Sequence, residues 1–282
     1  MKRLFIIGTQ KLFLSLEDSI RFSKTLAEAY AGRSRPFDVL ICPSLINLAH
    51  VADALSQVPV YVGAQNFHQE ETGPFTGQVS LMELINLNIR HVMVGHSELR
   101  LAGETDGMIS DKIALCLKHH VTPIICLGES ADHQIQGLRF AEMERSIKSL
   151  FSEAVAKRYP IDHIIIAYEP TWISLSGDED KILHSMRTVR DTCRAIREIL
   201  SDLFGQSERE NIRIMFGGGV NKDSTKLLLR ELQVDGLLVG RASTNIISFR
   251  QILDAAEEFI NREQSSAVTV DQSDKDRRST GS

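Results

Sequence analysis

The feature that most constrains how this chain can fold is a repeated run-and-gap rhythm. Short apolar runs recur at RLFIIG (3–8), FDVLICP (37–43), VYVGAQ (60–65), RHVMVG (90–95), TPIICLG (122–128), HIIIAYEP (163–170), NIRIMFGGG (211–219) and DGLLVG (235–240). They are rich in Ile, Val and Leu, and most end in Gly, Pro or a polar residue. Near-continuous apolar runs of this length fit strands buried on both faces, as in a parallel sheet. Helical patterns lie between them. Ile182, Met186, Val189, Cys193, Ile196 and Leu200 repeat every three or four residues, which predicts a helix over 179–203 with one buried stripe. Ile252, Leu253, Ala256, Phe259 and Ile260 predict another, with Ser248 and Gln251 at capping-box spacing at its start. Alternating strand and helix implies parallel strands joined by crossover helices. Eight such units in about 260 residues is the size of a (β/α)8 barrel. A doubly wound open sheet is the main alternative. No linker divides the chain, so one barrel domain is expected over 1–263. From 264 to 282 the text turns polar, Ser-rich and aperiodic, and a disordered tail without assigned function is expected there.

Composition narrows the function classes. Hydrophobic residues make up 43% of the 282, enough for a full core, and the net charge of −5 argues against broad nucleic-acid affinity. The four cysteines, Cys42, Cys116, Cys126 and Cys193, are widely spaced and form neither a CxxC pair nor a zinc-like cluster. Reduced thiols in a cytoplasmic protein are the expectation. The apolar run near the N-terminus is shorter than the ~7–15 residues of a signal segment. No stretch approaches the ~20 residues of a membrane span. Neither a nucleic acid nor a membrane is an expected partner.

In a barrel of this kind the reaction site faces the C-terminal ends of the strands. Lys11 follows the first run, Gln65 and Asn66 end the third, and His96 and Glu98 follow the fourth. Cys126 and Glu129 lie at the end of the fifth, Glu169 of the sixth, Gly217-Gly218-Gly219 of the seventh, and Gly240 and Arg241 of the eighth. Singly, each has an ordinary explanation: a solvated lysine, a hydrogen-bonded histidine, a turn glutamate, a small buried thiol, a structural ion pair, or glycines suited to positive φ. Together they place a carboxylate, an imidazole, a fixed cation and a glycine-rich anion cradle at one rim. Proton abstraction beside a carbonyl needs a base for the carbon proton, a donor for the oxygen, and positive charge for the enediolate. Backbone N–H groups of glycine turns approach phosphate closely.

The motifs GTQK (8–11), VGAQNF (62–67), GPFTGQVS (73–80), VGHSELR (94–100), GETD (103–106), PIICLGE (123–129), AYEPTW (167–172), FGGGV (216–220) and VDGLLVGRAS (234–243) resemble, in order, those of the triosephosphate isomerase family. The likeness covers roughly residues 3–262. It implies an aldose–ketose isomerase acting on a small sugar phosphate, with no metal or organic cofactor, as a homodimer. By the resemblance, Glu169 matches the catalytic base, His96 the electrophile at the carbonyl, and Lys11 the stabilising cation, with Glu98 orienting Lys11. A neutral imidazole beside a glutamate base is a known property of that family. The expected phosphate contacts are Lys11, Leu175, Gly217, Gly218, Gly219, Gly240 and Arg241.

The chain departs from the family pattern in two places. The family's lid usually reads P-x-W-A-I-G-T-G-K; residues 170–178 read PTWISLSGD, with Leu175 for a glycine and Asp178 for the lysine. Its Y-G-G-S is Phe216-Gly217-Gly218-Gly219 here, which removes two hydroxyls, each worth about 0.5–1.5 kcal/mol in a hydrogen bond. Arg241 replaces a glycine and either adds a phosphate contact or points to solvent. At the expected dimer contact, Gln78 and Leu99 replace both halves of an ion pair, while the apolar tip 73–77 remains. Thr9 and Gln10 replace the usual Asn-Trp beside Lys11. Interconversion of glyceraldehyde 3-phosphate and dihydroxyacetone phosphate is the leading expectation. An isomerase for four-carbon erythrulose phosphates and a non-catalytic phosphate-sugar sensor are the alternatives.

Overall fold

The computed structural model describes residues 3–32, 34–129, 139–159, 161, 163–170, 172 and 179–279. Eight parallel strands form one sheet: β1 (Leu4–Thr9), β2 (Phe37–Cys42), β3 (Val60–Val62), β4 (His91–Val94), β5 (Thr122–Leu127), β6 (Ile164–Tyr168), β7 (Ile212–Gly217) and β8 (Gly236–Val239). Each falls within an apolar run of the sequence or one residue beyond it. The hydrogen-bonded order is β3-β2-β1-β8-β7-β6-β5-β4. An isolated parallel bridge between Ala64 and Val92 closes the ring. Its two hydrogen bonds run from Ala64 N to His91 O at 3.0 Å and from Met93 N to Ala64 O at 2.9 Å. The open-sheet alternative therefore fails on this seam.

The strands lack a polar face because both of their faces are buried. Phe5, Ile7, Leu40, Ile124, Ile165 and Met215 fill the barrel interior. Their neighbours Leu4, Ile6, Val39, Ile41, Ile125 and Ile166 face the surrounding helices. Alternation exists along each strand, but both sets are apolar, so it is silent in the sequence. The helix predicted over 179–203 runs Glu179–Phe204. The last helix, Ile246–Ser279, starts earlier than expected. Asn245 Oδ1 accepts from Ile247 N at 3.0 Å and from Ser248 N at 3.1 Å. Ser248 thus lies inside the first turn with its N–H already used, and Asn245, an equally strong capping residue, takes the cap. The last side chains of this helix packed on the core are Phe259 and Ile260. Among the described residues no helix is long and apolar enough to cross a membrane.

An aromatic plug closes the N-terminal mouth of the barrel. His91 lies 5.8 Å from the Phe5 ring and 5.2 Å from Tyr61, and Arg213 sits over Phe5. Burial, reinforced by His163 and Arg213, pushes the His91 pKa down from 6.5 to about 4. The unfolded chain therefore takes up this proton first as pH falls. Stability is unaffected above pH 6.5 and is lost between about 6.5 and 4, by about 3 kcal/mol from this group. Urea midpoints at pH 7.5 and 4.5 check this: His91→Phe should lose less stability between the two than the parent chain. Equal losses would acquit His91.

Candidate active site

The C-terminal ends of the strands surround a cavity of about 360 Å³ whose lining includes Lys11, His96, Glu169, Gly217–Gly219, Gly240 and Arg241. The barrel thus gathers all but two of the residues singled out for the site. Glu98 lies one step away, bonded to Lys11, and Leu175 lies outside the described residues.

Glu169 is the first residue after β6. Its N–H donates to Leu127 O at 2.7 Å, so one extra ladder bond holds the backbone to β5. Its side chain is 23% exposed. Burial raises its pKa above the ordinary 4.5, against the opposing pull of His96, Lys11 and the Cys126 thiol. Oε1 is sealed from solvent and receives no hydrogen bond from the described residues. A carboxylate in that state is poorly solvated and correspondingly basic.

His96 opens the short helix Ser97–Leu101. Its Nδ1 accepts from Glu98 N at 3.2 Å. A ring nitrogen that accepts carries no proton, so the hydrogen bond selects the neutral tautomer with the proton on Nε2. That Nε2 lies 3.7 Å from Glu169 Oε2. Lys11 Nζ donates to Glu98 Oε1 at 2.6 Å, and this hydrogen bond is the main reason the Glu98 pKa is lowered. Lys11 itself has φ +51°, a left-handed conformation that costs a lysine about 1–2 kcal/mol. Gln65 holds it there: its Nε2 donates to Lys11 O at 3.1 Å and to Cys42 O at 3.0 Å. Glu129 Oε1 accepts from Tyr168 Oη at 2.7 Å and from Trp172 Nε1 at 2.9 Å, which tethers the start of the expected lid.

The glycines have different tasks. Gly219 has φ +57° and makes the turn possible. Gly217 makes room: a Cβ there would stand 2.7 Å from Glu169 Cγ. Gly217→Ala is expected to displace the carboxylate and lower kcat by about 10- to 100-fold, since an ångström of misplacement costs about that much. Steady-state kinetics with a melting curve checks it, and unchanged kcat in a folded variant would refute the packing argument. Arg241 is exposed at the cavity and has no carboxylate partner among the described residues.

Sequence reading assigned no structural task to Gln65, Gln10 or Lys112. Lys112 carried a usable signal, because it sits on the apolar stripe of Ile109, Ile113 and Cys116. Gln65 and Gln10 stood out by position, but their partners lie on other segments of the chain, so nothing in the sequence showed what they hold.

Comparison with known proteins gives one consistent result. The family model described as triosephosphate isomerase matches residues 4–256. The triosephosphate isomerase of Rhodopirellula baltica is 33% identical over 261 residues, covering 90% of this chain and 98% of that protein. That of Carboxydothermus hydrogenoformans is 33% identical over 254 residues, with 90% and 98% covered. The crystal structure of triosephosphate isomerase from Bartonella henselae superposes with a TM-score of 0.76 at 29% identity, covering 90% of this chain and 98% of that one.

Proposed function

We propose a function from the premise that this chain belongs to the triosephosphate isomerase family. It is an aldose–ketose isomerase that interconverts glyceraldehyde 3-phosphate and dihydroxyacetone phosphate. The observation that carries this reading is the pairing of a desolvated Glu169 carboxylate with a neutral His96 Nε2–H 3.7 Å away in one cavity.

The reaction then runs as an internal redox exchange between adjacent carbons. Glu169 takes the proton from the carbon beside the carbonyl, and the electron pair moves onto the carbonyl oxygen. The His96 Nε2–H hydrogen-bonds that oxygen, and Lys11 balances the charge of the enediolate and phosphate. His96 passes a proton between the two oxygens, and Glu169 returns its proton to the neighbouring carbon. No electron leaves the substrate, so the cycle needs no external oxidant. The phosphate is placed at the turns Gly217–Gly219 and Gly240-Arg241, with the Arg241 guanidinium as a donor suited to bidentate contact. The four-carbon and sensor alternatives gain no support from relatives named for the three-carbon enzyme.

The test is turnover of glyceraldehyde 3-phosphate in D2O, followed by NMR, beside an erythrulose phosphate on the same preparation. Product carrying deuterium on carbon supports abstraction by a base. Absence of triose turnover overturns the reading, and a strong preference for the four-carbon sugar reassigns the substrate.

The chain is also assigned a homodimeric state. Leu12 is 87% exposed, Phe13 59%, Ile46 84% and Leu101 89%, all in the segments that follow β1, β2 and β4 at the same end of the barrel. The first two of these segments are braced against each other, with Asn47 Nδ2 donating to Leu14 O at 3.3 Å. Apolar side chains this exposed, and gathered at one end, suit a partner subunit. Light scattering should give a dimer mass, and Leu12→Asp with Ile46→Asp should give a monomer; a monomeric parent chain refutes the assignment. The four cysteines are all free and buried, in keeping with a reducing, cytoplasmic setting.

A further inference from the structure

The turn that carries Arg241 is fastened to the segment that carries Lys11 through a polar seam. Gln10 is 1% exposed. Its Nε2 donates to Ser243 O at 3.5 Å, across 233 positions of sequence. The Ser243 hydroxyl is within donating distance of two carbonyls, Thr9 O at 3.1 Å and Gly240 O at 2.7 Å. Ser243 N also donates to Gly240 O at 2.9 Å. The seam is close-packed: a Cβ on Gly8 would stand 2.9 Å from Ser243 Cβ. Gln10 Oε1 is buried with no hydrogen-bond partner among the described residues. A leucine would fill similar space and remove the unpartnered Oε1 while leaving Ser243 O without its donor, two changes of similar size and opposite sign, so stability alone gives no reason for an amide here.

We infer that Gln10 and Ser243 are positioning residues that clasp the Arg241–Thr244 turn to the end of β1 and so set Arg241 relative to Lys11 for anion binding. The inference rests on the proposed phosphate contact of Arg241. The clasp acts from behind the cavity: neither Gln10 nor Ser243 lines it, whereas Thr9, Lys11, Gly240 and Arg241 do. Loosening the seam lets the turn drift from the strand end and separates two cations that must meet one ligand.

The experiment is a double-mutant cycle read by calorimetric binding of inorganic phosphate, by KM and kcat, and by melting temperature. Gln10→Leu removes the hydrogen bond and the stranded acceptor together, and Ser243→Ala is the independent second variant. Either is expected to weaken phosphate binding and raise KM by about three- to tenfold, the scale of one hydrogen bond. kcat should fall less than KM rises, and Gln10→Leu should melt close to the parent chain, since it removes one unpartnered acceptor and leaves another without its donor. In an Arg241→Gly background the effect of Gln10→Leu on phosphate binding should vanish. Unchanged phosphate affinity in both single variants, or full additivity with Arg241→Gly, overturns the clasp. A silent Arg241→Gly overturns the contact itself and the clasp with it. The binding arm uses phosphate alone, so it reads the clasp whether or not the triose is turned over.

Discussion

Glu169→Asp is expected to lower kcat by about a hundredfold or more while leaving the melting temperature nearly unchanged, because the shorter arm withdraws the carboxylate by about 1 Å from the carbon it must reach. The surroundings give the carboxylate no second chance. Its backbone is tied to Leu127 O at 2.7 Å, and the carbonyl of Glu169 leaves no space for a side chain at Gly128, where a Cβ would stand 2.2 Å away. The strand end therefore cannot slide forward to make up the missing methylene. The same burial dictates the pH response. As the proposed base, Glu169 has to be ionised to accept a proton, and burial holds its pKa above the ordinary 4.5. The acid limb of kcat/KM should therefore appear above that value as pH falls. Steady-state kinetics across pH checks both points, and near-parental turnover in the aspartate variant would remove Glu169 from the role of base.

The second large effect lies at the barrel's weakest join. Among the described residues β3 and β4 pair only through the bridge Ala64–Val92, whereas neighbouring strands elsewhere share three or more paired residues. Lys112 staples that join from outside. It pairs with Glu104, donates to Asn66 Oδ1 at 2.8 Å, and sits 5.8 Å over the Phe67 ring. The side chains of Lys112 and Glu104 are only 4% and 5% exposed. Lys112→Met would leave Glu104 as a buried, unpaired carboxylate whose Oε2 already lacks a partner among the described residues. The expected cost is about 3–5 kcal/mol, whereas removing both charges together should cost much less. Denaturant unfolding at fixed protein concentration measures the cost. Hydrogen exchange locates it: the Ala64 and Met93 amides should lose protection first. A variant as stable as the parent would show that the bridge needs no staple.

Strand positions were legible in the sequence because burial on both faces leaves runs with almost no polar residue, and local patterning of that kind needs no knowledge of distant neighbours. His96, Glu169 and Lys11 were legible for the converse reason: polar groups that end apolar runs stand out against them. The departures at Phe216, Arg241 and Gln10 could be named from the motifs, but their consequences could not. Ser248 was misread as a cap because two residue types compete for that task, and Asn245 starts the helix earlier. What remained hidden were contacts made only when the ring closes. Gln10 finds Ser243, Gly217 leaves room for Glu169, and Lys112 reaches Asn66 across 46 positions. The sequence by itself determined the eight-fold alternation and the polar groups at the strand ends, since periodicity and burial act over a few neighbouring residues. Only the tertiary structure decided which of those groups touch, how Lys11 is held in a strained backbone and where the barrel is weakest, because those depend on distances set by closing the sheet on itself.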